Sequence, residues 1–316
     1  MAARATRSAS RATRIAEAVA TGPLGALSHD ELGVVFDGLA DPLQPVVAVA
    51  LSSTCLGLLT PLQAALGVLQ ERHARAVALC DTMNRGAIPP GSGEPGAQSC
   101  ATCAELRSAR TIDWSLRALA PDSAATLGIL LDMHSMPGLV ELVMNETRCG
   151  DTAVRVLMDA LGRGAAPVVE MVAFADGRIG MVGAEAIARA FSRGAMPKIK
   201  ILDFFDNPIG DSGVAALAPP LRKLPALKEL CLARCKIGDG GVASLLANLG
   251  KDDFKVLCHL DLGDNLLTDV GLVRLAESVR AGGMPSLQSV TVSSADASPA
   301  MAAVQDALDA RREREP

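Results

Sequence analysis

Apolar positions recur along the C-terminal two thirds of the chain with a period of about thirty residues. The clearest copy begins at Leu227, where Leu230, Leu232, Cys235, Ile237, Gly238, Asp239 and Gly241 follow in order. Aligned on it, units start at Ala109, Leu139, Val169, Ile199, Leu227, Leu257 and Leu287, with spacings of 30, 30, 30, 28, 30 and 30. Three apolar columns stay in step. The fourth position reads Ile112, Leu142, Val172, Leu202, Leu230, Leu260 and Val290. The sixth reads Trp114, Met144, Phe174, Phe204, Leu232, Leu262 and Val292. Far downstream stand Leu127, Leu157, Ile187, Leu217, Leu245 and Leu275.

Each unit predicts a short strand with alternate side chains buried, a turn, and then a stretch with helical spacing such as Val242, Leu245, Leu246 and Leu249. Asp151, Asp211, Asp239 and Asp269 stand at the helix starts, placed to cap free N–H groups. Glycine and proline stop the helix before the next strand, as in Gly194-Ala195-Met196-Pro197. One such unit cannot bury its own apolar face, so neighbours must stack. The expected fold is an α/β solenoid of about seven strand–helix units, with parallel strands inside a curve and helices outside.

The best copies read L-x-x-L-x-L-x-x-N-x-I-G-D-x-G, which resembles the leucine-rich repeat family in its ribonuclease-inhibitor-like subclass, over residues 109–310. The resemblance implies a horseshoe whose inner surface binds a partner. The family's Asn column reads here Arg117, Thr147, Gly177, Asn207, Cys235, Asn265 and Ala295. In the family that side chain satisfies backbone groups at the turn, so the first three units and the last depart from the pattern. The last, with Ser293, Ser294, Ala297, Ser298 and Pro299, reads as a degenerate terminal repeat.

Four further segments are expected. Residues 1–22 carry Arg4, Arg7, Arg11 and Arg14 and a single acid, Glu17; they read as a basic tail or an organellar targeting segment. Residues 23–83 are helical by pattern, with helices near Pro45–Leu56 and Pro61–Leu79. Residues 84–99 are a Gly/Pro linker, 100–310 the repeat domain, and 311–316 a charged tail. Leu27-Ser28-His29-Asp30-Glu31-Leu32, then Val35, Phe36, Leu39, Pro42 and Ser53-Thr54-Cys55, resemble an F-box. That resemblance implies docking through Leu27, Leu32, Phe36 and Leu39 onto the Skp adaptor of a cullin ubiquitin ligase. Ser28 stands where the family has proline, and Leu56-Gly57-Leu58 replaces its basic-aromatic end. The alternative is a helical cap on the open end of the solenoid.

Alternation along a strand turns the third, fifth and seventh positions of each unit away from the core, with the eighth at the strand end. The acids there are Asp113, Glu141, Glu146, Asp176, Asp203, Asp206, Glu229, Asp261 and Asp264. Arg234 is the one base, so the inner surface carries a formal charge of −8 while the whole chain carries −5. Such a surface reinforces its own field and steers a basic protein partner. Phe205 stands near its centre as an apolar anchor.

Composition narrows the remaining choices. Charged residues are 21% and apolar ones 49%, which indicates a globular chain. The acidic balance argues against nucleic acid. Val46–Leu59 is apolar but short and interrupted by Ser52, Ser53 and Thr54, so a membrane span is not expected. Cys149 and Cys235 fall in repeat columns, and Cys100 and Cys103 form a C-x-x-C with no second ligand pair for zinc. No secretory signal is evident, so reduced thiols and a cytoplasmic or nuclear location are expected. The histidines are His29, His73, His134 and His259; only His259 falls on the inner face, near Asp261 and Cys231. Neither an enzyme nor a cofactor is expected. A further resemblance through the I-G-D-x-G turns, to Ran GTPase-activating proteins, implies action on a small GTPase. That family's acidic tail is missing from Arg311-Arg312-Glu313-Arg314-Glu315-Pro316.

Overall fold

The structure, a computed structural model, describes residues 35–36, 39–53, 56–84, 102–162, 164–250, 252–292 and 299–312. The segment 1–22, the linker from residue 85 on and part of the F-box-like stretch, including Leu27 and Leu32, lie outside them. The chain divides into two compact units, Met1–Thr82 with Ala101–Arg107, and Met83–Cys100 with Ser108–Pro316.

The first unit is helical. Val35, Phe36 and Leu39 are helical, followed by α1 (Val46–Ser53), α2 (Leu56–Asn84) and α3 (Cys103–Ser108). Helix α2 starts before Pro61 and runs on past Leu79. Ala76, Leu79, Cys80 and Met83 keep helical spacing and are all buried, which carries the helix to its later end. Phe36, Ala40, Ala48, Leu62 and Leu69 form a core, with Leu39 packed against it. Phe36 is 1% exposed, so it holds this unit together and presents no surface to an adaptor. Arg107 Nε donates to Asp41 Oδ2 at 2.6 Å.

The second unit is the solenoid. Its order is β1 (Thr111–Asp113), α4 (Pro121–Asp132), β2 (Glu141–Val143), α5 (Gly150–Asp159), β3 (Met171–Ala173), α6 (Met181–Ser192), β4 (Ile201–Asp203), α7 (Gly210–Arg222), β5 (Glu229–Cys231), α8 (Asp239–Leu246), β6 (His259–Asp261), α9 (Asp269–Arg280), β7 (Ser289–Thr291) and α10 (Pro299–Arg312). The seven strands make one parallel sheet in chain order. Register runs Thr111, Glu141, Met171, Ile201, Glu229, His259, Ser289, as the 30- and 28-residue spacings predict. The fourth and sixth positions are buried in every described unit but the last, whose sixth position, Val292, is half-buried. Parallel strands sit about 4.8 Å apart and packed helices 8–10 Å, so stacking curves the sheet to the inside.

The capping aspartates act across units. Asp151 Oδ1 accepts from Gly180 N at 2.7 Å and Gly183 N at 3.0 Å, in the unit after its own. Asp211 Oδ1 accepts from Gly238 N at 2.6 Å. Asp239 Oδ1 accepts from Thr268 N at 2.9 Å and Gly271 N at 3.0 Å, and its Oδ2 accepts from Thr268 Oγ1 at 2.6 Å. Each carboxylate thus serves orphan donors at the start of the next helix. This explains the second glycine of G-D-x-G: a Cβ on Gly241 would come within 2.8 Å of Asp211 Oδ1. Between the first and last units, which carry Pro121 and Pro299 in this column, the series breaks at Met181, which is 45% exposed. The junction there is held instead by stacked Phe174 and Phe204 rings, 6.2 Å apart at 7°.

The Thr268 and Gly271 bonds hold the Asp239 carboxyl below the usual carboxylate range. A depressed folded-state pKa contributes stability above the unfolded value, lost as pH falls through the folded one. Asp239→Asn is therefore expected to lower the urea midpoint at pH 7 and to narrow its gap to the wild type below about pH 4. An equal gap at pH 7 and pH 3 would contradict this.

The Asn column does its work only where a preceding unit offers backbone to serve. Asn207, fully buried, donates from Nδ2 to Phe174 O at 2.8 Å and Phe204 O at 2.9 Å, and accepts Ile179 N at 2.8 Å. Asn265 repeats this with Leu232 O, Leu262 O, Cys235 N and Ile237 N. Cys235 Sγ donates to Phe204 O at 3.1 Å, and Thr147 Oγ1 to Met144 O at 2.9 Å. Gly177 leaves the room Asn207 needs, since its Cβ would lie 3.3 Å from Asn207 Oδ1. Arg117 belongs to the first unit, which has no unit before it to bridge.

The C-terminal end differs from the expected tail. Helix α10 buries Ala300, Val304, Ala307 and Leu308. Arg311 donates to Val279 O and Met284 O at 2.5 Å and to Gly283 O at 2.9 Å. Arg311 therefore satisfies the orphan carbonyls at the end of α9.

Candidate functional site

The sheet presents one outward face built from the third, fifth and seventh positions of each unit. All ten residues singled out in the sequence lie on it or on the turn beyond it. Asp113, Glu141, Asp176, Asp203, Asp206 and Asp261 are half-buried, and Glu146, Phe205, Glu229 and Asp264 are exposed.

Three of the acids also shape the backbone. Asp113 Oδ1 accepts from Ser115 N and Asp203 Oδ1 from Phe205 N, both at 2.9 Å, and Asp261 Oδ1 accepts from Gly263 N at 2.8 Å. In each, one oxygen closes an Asx-turn at the strand end, and the other oxygen of Asp261 accepts from Cys231 Sγ at 3.9 Å. Glu141 Oε2 accepts from Thr111 Oγ1 at 3.0 Å. The eighth position is left-handed in six units: Leu116, Glu146, Asp176, Asp206, Arg234 and Asp264 have φ of 64°, 56°, 48°, 54°, 56° and 51°. This turn lifts its side chains off the sheet as a row along the strand ends.

Two basic rows border the acids, and reading only the outward positions missed them. Arg148, Arg178 and Lys236, at the tenth position, are exposed. At the other strand end the second position supplies Arg110, Lys200 and Lys228. There Lys200 Nζ lies 2.7 Å from Glu170 Oε2 and holds that carboxyl below its usual range. The second and tenth columns of the same alignment carried the signal. The acids between them stand at the third, fifth and eighth positions, so the band is at least roughly 10 Å wide.

At its centre Arg234 folds over its neighbours. Its guanidinium carbon lies 5.6 Å from the Phe205 ring centroid, and Nη1 is 3.1 Å from Asp206 Oδ2.

The Cys231–His259 pairing does not form. His259 Nδ1 lies 2.7 Å from Ser289 Oγ. Burial, with Asp203 and Asp261 nearby, pushes the Cys231 thiol up to about 12, and burial takes Cys235 to about 12. Neither thiol supplies a nucleophilic thiolate at neutral pH. Burial likewise raises the Cys103 thiol, which shares a hydrogen bond with Cys80 on α2. Among the described residues no group of His, Cys, Asp and Glu could hold a metal ion, and no helix is long and apolar enough to cross a membrane. An apolar cavity lined by Leu230, Val242, Leu245, Leu262, Leu275 and Met284 measures about 10 Å³, room for about one water and no ligand.

The repeat period, the register and the inter-unit bonds agree with a family comparison. The model described as Leucine Rich repeat matches residues 195–218, 223–246 and 256–276. The solenoid is built of leucine-rich repeats. Two solved structures are similar to it. The Rad7 and Elc1 complex in yeast has a TM-score of 0.40 and 16% identity over 57% of this chain and 42% of that one. The TLR13–ssRNA13 complex has a TM-score of 0.27 and 18% identity over 60% of this chain and 30% of that one. The chain thus spans less than half the length of either. A comparison with curated proteins finds no match. Within the leucine-rich repeats, the three matched stretches include Phe205, Asp206, Arg234 and Asp264.

Proposed function

We propose that this is a protein-binding protein, not an enzyme, whose leucine-rich repeats take a basic segment of another protein along the acidic strand face. The observation that carries the reading is the acidic band with cations along both borders. A broad basic surface would meet Arg110, Lys228, Arg148, Arg178 and Lys236 as well as the acids. A single helix, 10–12 Å across, or an extended chain fits between them. The thirty-residue strand–helix unit supports the ribonuclease-inhibitor-like subclass.

The test is affinity capture with the full chain, followed by mass spectrometry. A variant carrying Glu146, Glu229 and Asp264→Lys, with Asp203 and Asp261→Asn, reverses the face while asparagine keeps the turn bonds. Basic proteins captured by the wild type are expected to fall at least roughly tenfold with the variant. Unchanged capture by a folded variant would sink the reading.

A narrower version, a substrate receptor that docks a Skp-type adaptor through its helical unit, is favoured by exposed Val46 and Val49 on α1, 65% and 41% exposed. In the same capture, that adaptor should survive reversal of the strand face and be lost with Val46→Asp and Val49→Asp.

A further inference from the structure

Phe205 has no packing reason to be where it is. The seventh position in the other described units holds Ser115, Asn145, Ala175, Ala233 and Gly263, all small or polar. A ring at this position fills no core, and Phe205 remains 37% exposed. Beside it Asp206 presents a carboxylate from the left-handed turn, with a φ of 54°. A flat aromatic face next to a carboxylate is what a planar guanidinium recognises, by stacking and by charge-assisted hydrogen bonding.

That chemistry is already exercised within the chain. Arg234, the single cation at the outward positions, lies over the Phe205 ring and pairs with Asp206. Both partners of the ion pair are open to solvent, with side-chain exposures of 50% and 42%. An exposed pair of this kind contributes little to folding. Arg234 can therefore swing away without disturbing the sheet.

We infer that Phe205 and Asp206 form a seat for an arginine of the partner, and that Arg234 occupies this seat until the partner displaces it. The inference rests on the reading of the strand face as a site for a basic segment. In the wild type one guanidinium replaces another, so the exchange contributes little affinity. With Arg234 removed, the seat stands open and its full contribution appears.

The experiment measures fluorescence anisotropy of labelled nona-arginine and nona-lysine peptides with the full chain. Arg234→Ala is expected to tighten nona-arginine binding roughly three- to fivefold and nona-lysine binding less. Lys236→Ala makes the same charge change two residues away and is expected to have a smaller effect with no arginine preference. Adding Phe205→Ala to Arg234→Ala should erase the arginine preference, and adding Asp206→Asn should weaken both peptides. Equal gains from Arg234→Ala and Lys236→Ala, or no gain from Arg234→Ala, would overturn the seat while leaving the basic-segment reading intact. If neither peptide binds any of these proteins, both fall together.

Discussion

Asn207→Ala is expected to destabilise the solenoid by about 2–4 kcal/mol, through three buried hydrogen bonds lost and one N–H left without a partner. The amide carries bonds to Phe174 O and Phe204 O and from Ile179 N in a fully buried setting. Alanine leaves the Ile179 N–H without an acceptor, while Phe174 O keeps Gly177 N and Phe204 O keeps the Cys235 thiol. Asn207→Cys should be milder, because Cys235 meets a carbonyl from the equivalent position with its thiol. It still fails to accept from Ile179 N. Urea unfolding orders the variants, and hydrogen exchange at Ile179 locates the damage. A loss under about 1 kcal/mol for Asn207→Ala would show that the turn relaxes to satisfy itself.

Gly271→Ala should cost about 2–4 kcal/mol, well above the roughly 1 kcal/mol by which alanine is ordinarily favoured inside a helix. The added Cβ falls on Asp239 Oδ1, and every near atom belongs to Asp239. The clash breaks the bonds to Gly271 N and Thr268 N together. Asp239→Ala alone removes the cap, for about 1–2 kcal/mol. With the carboxylate gone the new methyl has space, so the double variant should be more stable than Gly271→Ala alone. A double-mutant cycle by urea unfolding measures the coupling, and strict additivity would refute the cross-unit cap.

Particular residues explain what was legible in the sequence. Apolar side chains repeating at fixed intervals can only be buried by stacking, so Leu142, Val172 and Leu202 announced the sheet and its register. Partners across units were not legible. Asp239 was readable as a cap, but a linear pattern does not say that it serves Thr268 rather than its own helix. The left-handed turn was hidden because Leu116, Glu146 and Arg234 occupy it where glycine or asparagine would have marked it. The acidic face followed from alternation alone. Its borders did not, because Arg148, Arg178 and Lys236 lie past the strand, where alternation ends. Arg234 counted as one positive charge on the face, and its contact with Phe205 depends on the 28-residue step that sets the two units side by side. Phe36, apolar and helical, reads equally as a docking or a core residue until its burial is known.

The break at Met181 changes what joins one pair of units to each other. The second-to-third, fourth-to-fifth and fifth-to-sixth junctions each carry a carboxylate that accepts from backbone N–H groups of the next unit. The third-to-fourth junction has two stacked rings and a buried amide in that place, with the Lys200–Glu170 ion pair at the other strand end. The Asp239 carboxyl is held below its usual range, so acid withdraws stability from the fifth-to-sixth junction. The central pair of repeats, which also presents Phe205, is joined by an aromatic keystone where its neighbours are joined by carboxylates.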